Sequence, residues 1–179
     1  MNDAMTLRGS CLCGAVTLSV EAERQNVAAC HCQMCRTWGG GPLLAMESVG
    51  RATLEGEDHV NIYASSDWAE RGFCRHCGTH LFYRLKTGEH YAVPVGLVDT
   101  GEAWTFDSQI FIDEKPGWYH FGNATQDLTG QQVFEPFRPT RSKGSPPLER
   151  EFPLDPIEHS RLSGTSTLTE RRAGTHRFH

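Results

Sequence analysis

The sequence predicts a mainly β protein, and three observations lead to that fold class. Short segments rich in Val, Ile, Leu and aromatic residues alternate with glycine-bearing turns. No stretch of ten residues carries a clean apolar stripe with helical period. The glycine run Gly39–Gly41, followed by Pro42, ends any helix that begins after Cys35. We therefore expect strands joined by tight turns, with only a few short turns of helix.

The candidate strands are short and partly alternate between apolar and polar residues, as a half-buried strand does. In chain order they are Ala15–Val20, Leu43–Glu47, Val60–Ala64, His80–Leu85, Tyr91–Val98 and Gln109–Ile112. From about Pro139 the chain becomes polar and rich in proline. We therefore expect residues 1–137 to form the β domain, and residues 138–179 to form a polar, partly irregular C-terminal extension.

Charge and hydropathy exclude several classes of partner. Residues 138–179 carry eight basic and five acidic side chains, whereas the other 137 residues carry 9 basic and 17 acidic ones. Because residues 1–137 are this acidic, they do not offer the positive surface that binds nucleic acid. No apolar run is long enough to span a membrane, and the first residues lack the apolar segment of a secretory signal. A cytoplasmic location is the expectation.

Cysteine is the informative residue type. The seven cysteines are Cys11, Cys13, Cys30, Cys32, Cys35, Cys74 and Cys77. An odd number argues against a complete disulfide framework, and thiols two or three residues apart are typical of metal ligands. Cys74 and Cys77, followed by Gly78, have the pattern of a zinc knuckle, which supplies half of a tetrahedral site.

The knuckle can be completed in two ways. Two thiols of the middle cluster could complete it, but Cys11, Cys13 and one orphan thiol would then be scattered. If Cys11 and Cys13 complete it instead, the middle three thiols stay together, and both pairs share the same Cys-Gly ending. We therefore assign Cys11, Cys13, Cys74 and Cys77 to a closed structural zinc site. We also expect the strands that follow the two pairs to be neighbours.

Cys30, Cys32 and Cys35 then remain as a second set. Three protein ligands and one open position are typical of a catalytic zinc, and thiolates select this soft ion. Such a centre suits a substrate thiolate as its fourth ligand better than it suits water activation. Two alternatives are a second structural zinc completed by His31 or His76, and a redox pair without metal.

Arg36 directly follows the last of these thiols, so it is a candidate contact for an anionic substrate. The alternative is that its side chain is merely solvated, as arginines on loops usually are.

The cysteine clusters and two later segments carry a family resemblance. They are Gly9-Ser-Cys-Leu-Cys-Gly14, Cys30-His-Cys-Gln-Met-Cys-Arg36, Phe73-Cys-Arg-His-Cys-Gly78, Gly96-Leu-Val-Asp99 and Ile110-Phe-Ile-Asp-Glu-Lys-Pro-Gly-Trp118. With them, residues 7 to 137 resemble the glutathione-dependent formaldehyde-activating enzymes, whose domain also occurs in centromere protein V. Gln109 departs from the pattern, because relatives often have His there.

The resemblance implies a β-tent fold of short antiparallel strands bolted by a structural zinc, with two zinc ions on the two cysteine sets. It also implies a carbon–sulfur lyase that binds the glutathione thiolate at the three-cysteine zinc for addition to formaldehyde. The competing hypothesis is a non-catalytic, zinc-stabilised module that binds a protein.

Overall fold

The computed structural model describes residues 5–50, 52–88, 90–98, 101 and 104–135, and all of them belong to one unit, Met1–Pro139. In this part of the chain the strands are β1 (Met5–Ser10), β2 (Thr17–Ala22), β3 (Asn26–Cys30), β4 (Leu43–Val49), β5 (Thr53–Glu55), β6 (Val60–Ala64), β7 (Ala69–Cys74), β8 (His80–Leu85), β9 (His90–Pro94), β10 (Thr105–Ile110) and β11 (Gln126–Leu128). The helices are α1 (Gln33–Gly39), α2 (Val95–Val98) and α3 (Gly130–Phe134). The predicted boundary at 137/138, the extension beyond it and Asp99 lie outside the described residues.

The strands form two sheets. One has three strands in the order β1-β2-β5, and the other has eight in the order β11-β10-β3-β4-β9-β8-β7-β6. Pairing is antiparallel except at β10, which is parallel to both β3 and β11. A parallel pair needs a crossover connection, and the chain from β4 to β9 provides one between β3 and β10. The mainly β, largely antiparallel prediction is confirmed.

The hydrophobic core is built by both sheets. β2 buries alternate residues, Leu18, Val20 and Ala22, as a strand with one covered face does. They join one cluster with Met46 of β4 and Val93 of β9, among others. Cys11 and Cys74 belong to the same cluster, so the two ends of the predicted structural site are anchored in the core.

The predicted strands agree with the observed ones to differing degrees. Val60–Ala64 and His80–Leu85 coincide with β6 and β8. The prediction of strand over Tyr91–Val98 is wrong at its end, because Pro94 has no N–H to donate and the chain turns into α2. Strand β10 ends at Ile110, because Phe111 has a left-handed backbone (φ 57°). The predicted strand Gln109–Ile112 therefore begins and ends too late in the chain. Strands β1, β3, β5, β7 and β11 lie outside the predicted segments.

Helix α1 begins and ends at recognisable residues. Cys32 is its N-cap, and the Cys32 Sγ accepts a hydrogen bond from the backbone N–H of Cys35. Gly40 ends it in the left-handed conformation (φ 78°), as the glycine run predicts. The helix begins at Gln33, however, so it contains Cys35 rather than following it. None of the helices in the described residues has the length and apolar character needed to cross a membrane.

Candidate metal centres

The first candidate centre gathers Cys11, Cys13, Cys74 and Cys77. Their sulfur atoms all lie within 4.8 Å of one another. The Cys11 and Cys13 sulfurs are 3.5 Å apart, and those of Cys13 and Cys74 are 3.7 Å apart. A tetrahedral zinc with Zn–S bonds of about 2.3 Å separates its sulfurs by about 3.8 Å. The four thiols therefore fit one zinc ion both in chemistry and in spacing.

The two halves of this centre use the same turn. Gly14 and Gly78 have left-handed φ values of 74° and 73°. Gly14 N–H donates to the Cys11 carbonyl and Gly78 N–H to the Cys74 carbonyl, each at 2.9 Å. Only glycine adopts this conformation without strain, which explains the shared Cys-Gly ending. Each pair of cysteines therefore closes on a tight turn.

The four-cysteine centre joins the two sheets. Cys11 and Cys13 lead into β2 of the three-stranded sheet. Cys74 is the last residue of β7, and Cys77 lies between β7 and β8 of the eight-stranded sheet. The strands after the two pairs, β2 and β8, are therefore brought together at their starts, as expected, but they belong to different sheets and are not hydrogen-bonded neighbours. Leu18 of β2 and Leu81 of β8 belong to the same core cluster. A metal bound by the four cysteines would connect the two sheets.

Thr79 connects the two halves of the centre, and sequence reasoning missed it. Its Oγ1 lies 3.1 Å from the Cys77 sulfur and accepts a hydrogen bond from the Leu12 N–H at 3.2 Å. Since that oxygen accepts from Leu12, the hydroxyl is free to donate to the sulfur. The side-chain and backbone hydrogen bonds from Thr79 lower the pKa of Cys77 to about 5. No sequence signal marks a threonine two residues after a cysteine for this role.

The second candidate centre gathers Cys30, Cys32 and Cys35, whose sulfurs lie within 4.8 Å of one another. Cys30 is the last residue of β3, Cys32 caps α1, and Cys35 lies in its first turn. Hydrogen bonds from the Cys30 and Cys32 thiols, with Arg71 nearby, lower the pKa of Cys35 to about 3 despite burial. Three soft, closely spaced sulfur donors fit zinc.

Neither histidine considered as a fourth ligand joins this group. His31 is fully buried, with Nδ1 2.6 Å from the Tyr119 hydroxyl and Nε2 3.0 Å from Gln109 Oε1. His76 lies at the surface, where it contacts His59. Among the residues that the structure describes, no histidine or carboxylate belongs to the three-cysteine group.

Gln109 holds His31 and does not act as an acid or base. Its amide nitrogen donates to Thr125 Oγ1 at 2.7 Å and to Asp127 Oδ1 at 3.1 Å. Its oxygen must therefore accept from His31 Nε2–H, which leaves Nδ1 to accept from the Tyr119 hydroxyl. Burial lowers the pKa of His31 and favours this neutral form.

Three arginines lie near the cysteines in sequence, and the structure separates them. Arg36 donates through Nε to the His31 carbonyl at 2.8 Å, and among the described residues its other nitrogens have no hydrogen-bond partner. Its predicted substrate contact stays a prediction. Arg75 is exposed and donates to the Asp58 carbonyl. Arg71 is the arginine that the fold brings to the three thiols, with Nη2 3.4 Å from the Cys35 sulfur.

Comparison with known proteins agrees with this arrangement. The family model described as "Glutathione-dependent formaldehyde-activating enzyme" matches residues 6–114, which include both cysteine groups. The chain belongs to this family. Membership confirms the resemblance seen in the cysteine motifs. Tyr119, Thr125 and Asp127, which hold His31 and Gln109, lie beyond the matched residues.

The alignments of this chain with two relatives cover most of each relative's own length. An uncharacterized lyase of Schizosaccharomyces pombe is 37% identical over 71% of this chain and 93% of its own. A Halomonas elongata protein whose name includes "glutathione-dependent formaldehyde-activating enzyme" is 33% identical over 69% of this chain and 85% of its own. A crystal structure of a Rhodobacter sphaeroides protein is 25% identical, with a TM-score of 0.46, and covers 55% of this chain and 100% of the other.

Proposed function

We propose that this protein is a zinc-dependent carbon–sulfur lyase that joins the thiol of glutathione to formaldehyde, or to a related small electrophile. The observation that carries the proposal is the three-cysteine group, which has no fourth side-chain ligand among the described residues. Family membership and the name of the Halomonas elongata relative support glutathione and formaldehyde as the substrates.

In the proposed reaction, the glutathione sulfur forms a bond to the formaldehyde carbon. The carbonyl π bond breaks, and the proton lost by the thiol ends on the new hydroxyl group, which gives S-hydroxymethylglutathione. A zinc ion held by three thiolates would lower the pKa of an incoming thiol and keep its sulfur nucleophilic. Cys30, Cys32 and Cys35 would hold this ion. Arg36 would receive a carboxylate of glutathione, because its guanidinium has nitrogens to spare.

The proposal gives the four-cysteine centre a structural role only. Four thiolates complete a tetrahedral zinc and leave no position for a substrate. Its connection of the two sheets supports the β-tent fold bolted by zinc that the family resemblance implies.

The first test is zinc stoichiometry combined with X-ray absorption at the zinc edge, with and without glutathione. We expect two zinc ions per chain, and an average sulfur coordination of about 3.5 that rises toward 4 when glutathione is added. Unchanged coordination would contradict the proposal and favour the protein-binding module.

The second test is activity. Formation of S-hydroxymethylglutathione, followed by NMR, should be faster than the uncatalysed addition, and Cys32→Ser should abolish the difference. Met34→Ala, an exposed position in the same helix, is the matched control and should retain full activity. If Cys32→Ser kept the wild-type rate, the three-cysteine centre would not be the active site.

A further inference from the structure

Arg71 is a buried cation on strand β7. Only 3% of its surface is exposed. Its guanidinium lies 5.9 Å from the centre of the Trp38 ring and 5.4 Å from that of the Tyr83 ring, so two aromatic faces hold it. Tyr83 is its partner in the pairing of β7 with β8, and Trp38 comes from α1, the helix that carries Cys35.

No carboxylate among the described residues balances this charge. In the described parts of the chain Arg71 forms no ion pair, and its neighbour Glu70 is held by Arg84 at 2.6 Å on the other face of β7. Burial of an isolated charge is costly unless a partner compensates it. The anionic partner that the structure supplies is sulfur, because Arg71 Nη2 donates to the Cys35 Sγ at 3.4 Å.

A charge count shows what this partnership does. Three thiolates and one divalent zinc carry a net charge of −1, and the Arg71 guanidinium brings the buried group to zero. An anionic fourth ligand then changes the net charge of the buried group from zero to −1. Without Arg71 the same ligand would bring that net charge to −2. A neutral fourth ligand adds no charge, so its binding depends little on the arginine.

We propose that Arg71 is a specificity-determining residue whose buried charge lets the three-cysteine centre take an anionic fourth ligand, a thiolate, in preference to a neutral one. This inference rests on the proposed function. The role is one of positioning and charge compensation, because Arg71 acts on the ligand through the Cys35 sulfur and the local potential.

The test uses the full chain with Co²⁺ in place of zinc, because the visible spectrum of cobalt reports directly on its ligands. At one fixed pH, the protein is titrated with 2-mercaptoethanol, which binds as a thiolate and has no carboxylate, and separately with imidazole, which binds as a neutral ligand. The variants are Arg71→Met, Arg71→Gln, Arg71→Lys and, as a control, Arg8→Met. Arg8 is exposed on the three-stranded sheet, so its variant removes the same charge on a different sheet from the one that holds Cys30 and Arg71.

In Arg71→Met and Arg71→Gln we expect the affinity for 2-mercaptoethanol to fall at least about tenfold, and the affinity for imidazole to change less than about threefold. Arg71→Lys keeps the charge and should retain most of the preference, and Arg8→Met should equal the wild type. If Arg71→Met does not fold or does not bind cobalt, the comparison of Arg71→Gln with Arg71→Lys tests the role of the charge.

Two results would overturn the inference, and they are distinguishable from failure of the proposed function. If Arg71→Met and Arg71→Gln lost affinity equally for both ligands, Arg71 would have a structural role. If they lost affinity for neither ligand, the charge argument would be excluded. If wild-type protein gave no spectral change with 2-mercaptoethanol, the open thiol-binding centre itself would be refuted.

Discussion

At the scale of single residues, hydrogen bonds to sulfur distinguish the cysteines. In the four-cysteine centre, the Val16 N–H donates to Cys11 and the Thr79 hydroxyl contacts Cys77. In the three-cysteine centre, Cys35 receives a hydrogen bond from the charged Arg71. Such bonds stabilise the thiolate, the form that binds metal. The donors are therefore as much part of each centre as the cysteines are.

Thr79→Val should weaken metal binding at the four-cysteine centre. The substitution keeps the side-chain shape but removes the donor to Cys77 and the acceptor for Leu12 N–H. A hydrogen bond to a charged group contributes about 1.5–3 kcal/mol, so zinc affinity should fall roughly 10- to 150-fold. Competition with a chromophoric chelator measures the change, with the exposed Thr6→Val as control. An affinity equal to wild type would show that Thr79 does not act on the Cys77 sulfur.

Gln109→Leu should destabilise the fold. It leaves His31 Nε2–H without its acceptor and removes the donor to Thr125 and Asp127. Each buried group left unpaired costs about 1–3 kcal/mol. Urea unfolding of the zinc-saturated protein should show the loss, while Gln131→Leu, at an exposed position of α3, should be neutral. A stable Gln109→Leu protein that had lost activity would instead indicate a direct catalytic role for the amide.

At this scale the sequence predicts the metal ligands but not their hydrogen-bonding partners. Closely spaced cysteines, two pairs of which are followed by glycine, predict a metal centre, because few other structures need that pattern. A lone threonine, glutamine or arginine has many possible roles, so Thr79, Gln109 and Arg71 could be assigned only once the fold had brought distant strands together.

At the scale of elements, β7 is a missed strand whose burial pattern depends on partners elsewhere, and β1 is one that buries little of its own surface. Strand β7 contains Glu70 and Arg71, which read as surface residues until Arg84 and the Cys35 sulfur are seen beside them. In β1 only Leu7 is buried. By contrast β8 is rich in apolar and aromatic residues, and its prediction was correct at both ends. For β8 local propensity was sufficient, because the strand's own residues supply the apolar face.

Gly9→Ala should disrupt the contact between β1 and α2. A Cβ atom at position 9 would lie 2.0 Å from the Leu97 carbonyl oxygen, which belongs to backbone and cannot move aside cheaply. Overpacking of this kind costs about 1–3 kcal/mol or more. Thermal unfolding should show a lower midpoint. Gly39→Ala is the matched control, because its added methyl group meets nothing within 4 Å, and a midpoint equal to that of the control would refute the packing argument.

At the scale of the whole molecule, the two centres should contribute differently to stability. Cys77→Ser should leave the protein largely unfolded, because structural zinc supplies roughly 10–16 kcal/mol of apparent binding free energy, as much as a typical domain's total stability. Cys32→Ser should stay folded with one zinc ion fewer, and serine can still cap α1. Circular dichroism and metal analysis of both variants make the comparison. If the two variants unfolded equally, the division into four and three cysteines would be wrong.

The separation of the four cysteines along the chain has a consequence for biosynthesis. Cys13 and Cys74 are 61 positions apart, whereas the other centre takes all its cysteines from residues 30–35. A ribosome that adds about 5–20 residues per second makes Cys74 roughly 3–12 s after Cys13. During that interval Cys11 and Cys13 lack the second pair of their own centre, and a long loop must close before that pair reaches them. The nascent chain can thus assemble its three-cysteine segment early, while the joining of its sheets must wait until β7 and β8 have been synthesised.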